Sequence, residues 1–237
     1  MTVLLEICID SIASAKAAKR GGADRLEVCS ALALGGTTPS FGLLEQCVTD
    51  LQMPSMMMIR PHDGNFVYDA DHLETMLTDI EVAKSTGAQG VVFGCLTAEG
   101  EIDLESCQRL IDACDGLETT FHRAFDVVPN PLEAFRQLQE IGFDRLLTSG
   151  QQPSALEGAS LIRQLVDEST TTTILAGAGV SAATVEDLVR QTGVCEVHAS
   201  ASIAVDAAQS GAQVSFGAAR RETDETLVAS IKHRLGP

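Results

Sequence analysis

The sequence has no tryptophan, a single tyrosine and few basic residues. Across 237 residues, 16 Lys plus Arg face 33 Asp plus Glu, a formal net charge of −17. A protein that grips nucleic acid needs a Lys/Arg field against the phosphates and, for single strands, aromatic platforms for the bases. Neither is present, and docking on anionic lipid is disfavoured by the same charge. No stretch reaches the roughly 18 consecutive apolar residues of a membrane helix. The opening MTVLLEICIDS lacks a basic segment and meets Glu6 too early for a secretory leader. There is also no CxxC. The cysteines (Cys8, Cys29, Cys47, Cys95, Cys107, Cys114 and Cys195) are odd in number and read as free thiols of a reducing compartment, which places the protein in the cytoplasm. Neither a nucleic acid nor a membrane is expected as a partner.

What the chain does have is a repeated unit. Short runs rich in Val, Ile and Leu recur at 3–9, 25–29, 55–60, 90–94, 119–123, 144–149, 172–176 and 195–200. Their spacing suits a strand, a helix and two turns. Helical patterns fill most of the gaps, at 11–20, 71–85, 104–114, 131–140, 181–191 and, after the last run, 222–235. Asp71-x-x-Glu74 and Ser181 read as helix caps, Pro131 as a first-turn proline, and Gly21, Gly87, Gly142 and Gly193 as helix stops. A glycine followed at once by a buried run appears as GGADRLEV, GAQGVVF and GFDRLLT. Eight such units predict a closed (β/α)8 TIM barrel, a single domain over 1–237. An open doubly wound sheet is the rival, but no GxGxxG follows the first strand.

In a barrel, alternate strand residues point inward and strand C-termini surround the site. The first two strands both carry Glu-x-Cys, so Glu6 shares a side with Cys8, and Glu27 with Cys29. Adjacent strands bring the two thiols together, and paired soft thiolates suit Cu(I). The bland alternative is two small buried hydrophobes. Inward Glu6 and Glu27 need partners, and Arg60 and Arg123 at strand ends are the natural ones. These pairs are either structural or a substrate clamp with shifted pKa values. His122, Arg123 and Asp126 follow the fifth strand as FHRAFD, a proton-transfer group beside an anion-binding one. His198 and Ser200 hold the equivalent place on the eighth strand, and Ser149 ends the sixth. Gly177 and Gly179 follow the seventh strand, where barrels often hold phosphate; the alternative is a tight turn. The Met56-Met57-Met58 run faces both ways and reads as core filling.

The phrases LEICIDS, GGADRLEVCSAL, GGTTPSFGLL, MIRPHDGNFVY, VFGCLTAEGEID, FHRAFD and LTSG occur in this order. With them the chain closely resembles the CutC family, named for copper homeostasis, from about residue 3 to about residue 220. The resemblance implies a cytosolic TIM barrel that forms a homo-oligomer, dimer or tetramer. It implies Cu(I) binding by two cysteines, which fall on Cys8 and Cys29. It also marks Glu27, Arg60, His122, Arg123 and Asp126 as parts of the family's strand-end motifs. The chain departs from the pattern at His62, Asn65, Ala178 and Ala199. Two expectations follow. One is a protein that binds Cu(I) at Cys8 and Cys29. The other is an enzyme on a small anionic metabolite, bearing a carboxylate or phosphate. There Glu27, His122, Arg123 and Asp126 act, and Arg60, Ser149, Gly177, Gly179, His198 and Ser200 bind.

Overall fold

The computed structural model describes residues 2–205 and 220–236. Eight parallel strands close into a barrel: β1 (Leu4–Ile9), β2 (Arg25–Val28), β3 (Ser55–Met58), β4 (Gly90–Phe93), β5 (Glu118–Phe121), β6 (Arg145–Thr148), β7 (Thr173–Ala176) and β8 (Glu196–Ala199). β8 pairs back onto β1, with His198 opposite Glu6. The (β/α)8 expectation therefore holds, with strand positions close to those read from the apolar runs.

Helices α1 (Ile12–Arg20), α2 (Phe41–Glu45), α3 (Ala70–Thr86), α4 (Leu104–Ala113), α5 (Pro131–Ile141), α6 (Ala159–Glu168), α7 (Val185–Thr192) and α8 (Glu225–Leu235) surround the strands. Their ends follow capping chemistry. The Ser11 hydroxyl accepts from the Ser14 amide at 3.2 Å, and Gly21 stops α1. Three boundaries differ from expectation. Asp69, not the Asp71/Glu74 pair, caps α3, its carboxylate accepting from the His72 amide at 2.9 Å. Ser181 does not open α7, because Ser181 and Thr184 first close a turn on each other, the Ser181 amide donating to Thr184 Oγ1 at 3.0 Å. Residues 221–223 are not helical. They form β10 (Arg221–Thr223), antiparallel to β9 (Ser202–Ala204), and Asp224 caps α8 behind them.

Strand alternation builds two interiors. Leu5, Ile7, Ile9, Leu26 and Val28 join the large apolar core between barrel and helices. The opposite parity lies inside the barrel, where Cys29, Met56, Met58 and Val92 make a separate apolar cluster. Met57 packs in the outer core, so the methionine run does face both ways.

Much of the remaining barrel interior is ionic. Arg25 Nε donates to Glu6 Oε2 at 2.5 Å and its Nη2 to Glu196 Oε2 at 2.6 Å. Arg145 donates to the same Glu196 oxygen at 2.7 Å and to Glu118 at 2.9 Å. Arg25 and Arg145 both come from the Asp-Arg phrase of the repeat. The aspartates are structural too. Asp24 Oδ2 accepts from the Leu5 amide and Asp144 Oδ2 from the Thr119 amide, each at 2.7 Å and each on the preceding strand. The expected partnership of Glu6 with Arg60 or Arg123 is thus corrected. Arg25 stands opposite Glu6 in the ladder, on the inward face of β2 with Glu27, and is nearer than any strand-end arginine.

Candidate functional site

A cavity of about 550 Å³ opens at the C-terminal end of the barrel. Of the residues singled out from the sequence, Cys8, Glu27, Arg60, His122, Arg123, Gly179, His198 and Ser200 line it. Cys29, Asp126, Ser149 and Gly177 stand behind this lining.

On one wall a thiol, a carboxylate and an imidazole converge. One ligand atom each of Cys8, Glu27 and His198 lies within 4.8 Å of the other two, and all three residues are buried. The strands set this up: Cys8 is opposite Glu27 across the β1–β2 ladder, and His198 is opposite Glu6 across β8–β1. Glu6 Oε1 sits 2.8 Å from His198 Nδ1, which leaves Nε2 turned toward Glu27 Oε2 at 3.8 Å. Gly177 makes room for this ring, since a Cβ there would fall 2.6 Å from Leu147 Cδ1 and 3.3 Å from His198 Cβ. Cys29 stands beside the cluster, its thiol donating to Glu27 Oε2 at 3.4 Å.

The protons of the cluster follow from its burial and charges. Burial alone would raise the Glu6 carboxyl, but Arg25 and His198 outweigh it and bring its pKa down to about 2. Burial lifts the Glu27 carboxyl above the usual range, although His198 and, more weakly, Arg25 pull it down. Burial opposes a charge on His198, yet Glu27, Cys8 and Glu6 together hold its proton well above the ordinary histidine value. Burial and the Glu27 carboxylate push the Cys29 thiol up.

The facing wall carries Arg60 and His122. Arg60 lies just beyond β3 and is 5% exposed. Its Nη1 donates to the carbonyls of Leu34 and Gly36 at 3.0 and 2.9 Å, and its Nη2 to Gly64 at 3.0 Å. The guanidinium lies 5.1 Å over the Phe66 ring. Among the described residues no carboxylate forms an ion pair with it, so the expected Glu27–Arg60 clamp is replaced by a loop-bound cation. His122 follows β5, and its Nδ1 accepts from the Ala124 amide at 3.3 Å. That contact assigns the ring proton to Nε2. Burial and the nearby Arg60 charge lower its pKa to about 3, so the ring is neutral. Gly94 leaves it space; a Cβ there would fall 2.7 Å from Nδ1.

Among the described residues, three buried polar atoms of these side chains find no hydrogen-bond partner: Glu27 Oε1, Arg60 Nε and His122 Nε2. Natural interiors leave few such atoms.

Asp126 is fully used by the protein. Its carboxylate accepts from the Thr148 hydroxyl at 2.5 Å, the Ser149 hydroxyl at 2.9 Å, the Ser149 and Gln151 amides at 3.1 and 3.2 Å, and Arg123 Nε at 2.7 Å. It ties the 3₁₀ turn Arg123–Val127 to the end of β6, and Ser149 is buried in the same knot. Arg123 is spent on Asp126 and Ser149 and stays half-exposed at the cavity rim. Sequence reading passed over Leu32, Leu34 and Phe66, because the loops after β2 and β3 supply them.

A closed (β/α)8 barrel with a buried thiol, carboxylate and imidazole at its C-terminal mouth is the class that this fold and site define. Within it, the chain belongs to the CutC family, whose model matches residues 3–203. A family protein CutC of Pasteurella multocida is 47% identical over 197 residues, covering 83% of this chain and 81% of that protein. The human copper homeostasis protein cutC homolog is 45% identical over 199 residues, 84% of this chain and 73% of its own length. The solved CutC structure from Streptococcus agalactiae superposes with a TM-score of 0.80 at 33% identity, covering 84% of this chain and 98% of that one.

Proposed function

We propose that this protein binds Cu(I) in a copper-homeostasis role, with Cys8 and Cys29 as thiolate ligands and His198 as a nitrogen ligand. One observation carries the reading: the Cys8 thiol, the His198 ring and the Glu27 carboxylate converge within 4.8 Å in a buried wall of the mouth. Sulfur and imidazole are the donors that Cu(I) prefers, and Glu6 behind His198 Nδ1 is the outer partner that orients a metal-bound imidazole. Cys29, whose thiol lies 3.4 Å from Glu27 Oε2, is the second soft donor, beside the cluster. The name of the human relative, a copper homeostasis protein, supports the same assignment. The reading includes a cytoplasmic location, where free thiols stay reduced, and assembly as a homo-oligomer, dimer or tetramer.

The test is an anaerobic titration of the reduced chain with Cu(I) against a competing chelator. One tightly held Cu(I) per chain is expected, lost in Cys8→Ser and weakened in Cys29→Ser. Wild-type affinity in the double variant overturns the reading.

A further inference from the structure

Of the seven cysteines, Cys8 alone lines the mouth cavity. Cys29, Cys47, Cys95, Cys107 and Cys114 are closed off, at 0–3% exposure. Cys195 is exposed, but it precedes β8 and so lies at the opposite end of the barrel. Cys8 is an inward residue of β1 that keeps 8% exposure, while Ile7 and Ile9 on either side of it keep none. Its thiol makes a long donation to the Ala199 carbonyl, 3.7 Å, and is a side-chain partner of the His198 ring. Across that ring, Glu6 Oε1 lies 2.8 Å from Nδ1, and Arg25 Nε fixes Glu6 at 2.5 Å. A sulfur, an acid–base ring and a carboxylate that orients the ring make the arrangement by which a thiol becomes a nucleophile. The space in front of it, about 550 Å³, is far more than an ion requires and falls in the range of small-molecule sites.

From this geometry we infer that Cys8 is a nucleophilic thiol, covalently modified by small α,β-unsaturated ketones and aldehydes that enter the mouth. Leu32, Leu34, Phe66 and Leu147 line the cavity and offer the apolar body of such a molecule a surface. The step is a conjugate addition. The Cys8 sulfur forms a bond to the β-carbon of the electrophile, and the carbon–carbon double bond is spent. The thiol proton, relayed by His198, ends on the α-carbon, and no group leaves. Nδ1 of the ring is engaged by Glu6, so the relay runs through Nε2, on the side of Glu27 and Cys8. The inference does not rest on the copper reading, although both use Cys8.

The experiment treats the reduced, chelator-treated chain with cyclohexenone or phenyl vinyl ketone and follows each cysteine by peptide mass spectrometry. Exposed Cys195 is the internal reference. Cys8 is expected to react about tenfold or more faster than Cys195. His198→Asn keeps a donor for Glu6 but withdraws the ring, and Glu6→Gln withdraws the orienting carboxylate. Each is expected to slow Cys8 by about tenfold or more and to leave the Cys195 rate unchanged. Buried Cys47 and Cys114 report on folding, because they are labelled only where the barrel opens. If a variant exposes them, the wild-type ratio of Cys8 to Cys195 decides. Cys8 labelled no faster than Cys195 overturns the inference. So does a Cys8 rate that is unchanged in folded His198→Asn. A Cu(I) titration of the unlabelled chain is read separately. A chain that binds Cu(I) but does not add the ketones at Cys8 therefore fails this inference and not the copper reading.

Discussion

Arg25 and Glu196 meet at 2.6 Å although their strands are not neighbours. β2 and β8 flank β1, so the contact crosses the inside of the barrel. Arg145 approaches the same carboxylate oxygen from β6 at 2.7 Å. One carboxylate thus locks three strands, and Glu6 completes the chain from β1. Removing one member of a buried ion network leaves the rest uncompensated, at a cost of about 3–5 kcal/mol. Arg25→Met is therefore expected to lower stability by about that amount, read as a shift in the urea midpoint. Arg20→Ala breaks the exposed pair with Glu225 and is expected to cost no more than about 1 kcal/mol. Equal effects of the two substitutions would contradict the network's role.

Asp126 makes a different kind of lock at the end of the fifth strand. Its carboxylate accepts from two hydroxyls, two amides and one guanidinium, none of them from a ligand. Asp126→Asn replaces one acceptor oxygen by a donor. A charged hydrogen bond is worth about 1.5–3 kcal/mol, so a stability loss of that order is expected. Cu(I) affinity is expected to stay at the wild-type value. Unchanged stability with altered binding would favour a direct role for Asp126 at the site over a structural one.

These two arginine networks show how far a sequence reaches. The barrel was legible because each strand is a short apolar run that ends a glycine-stopped helix, and both signals are local. Strand parity placed Glu6, Cys8, Glu27 and Cys29 inside correctly. The same parity also places Arg25 inside, two residues before Glu27, but partners for Glu6 and Glu27 were sought only among the strand-end arginines. Arg60 was expected to face a glutamate. It instead holds three loop carbonyls, and which loop folds over a barrel mouth depends on non-local packing. The short α2 and the helix α6 were not singled out, and the hairpin of β9 and β10 carries little alternation in three-residue strands. The buried atoms left unpartnered among the described residues are legible only once the fold has placed the other donors and acceptors.

Backbone strain collects at the same end of the barrel. Ala31, Gln151, Ala178 and Ala201 all have positive φ, and they follow β2, β6, β7 and β8. Ala178, at φ +78°, lines the cavity. An L residue in this region costs about 1–2 kcal/mol. Glycine removes that cost but adds unfolded-chain freedom worth about 0.4–1 kcal/mol. Ala178→Gly is expected to raise stability by about 0.5–1 kcal/mol, measured as a higher urea midpoint at constant m-value. A loss of stability would mean that the alanine methyl makes packing contacts worth more than the strain.

His122 gives the pH prediction its sign. Its ring is neutral in the folded protein because it is buried beside Arg60, the charged group that faces it; Phe66, Phe121 and Gly94 complete its surroundings without charge. Its folded pKa of about 3 lies below the unfolded value of 6.5. The unfolded chain therefore takes up a proton that the folded chain refuses, between those two values. The stabilising contribution is fully present above pH 6.5 and is lost as pH falls toward 3, at roughly 1.4 kcal/mol per unit at most. His122→Asn has no ring to titrate. Its urea midpoint is expected to fall less steeply between pH 6.5 and 4 than that of the wild type. Identical slopes would show that His122 gains its proton in the folded protein, so that neither burial nor the Arg60 charge keeps the ring neutral.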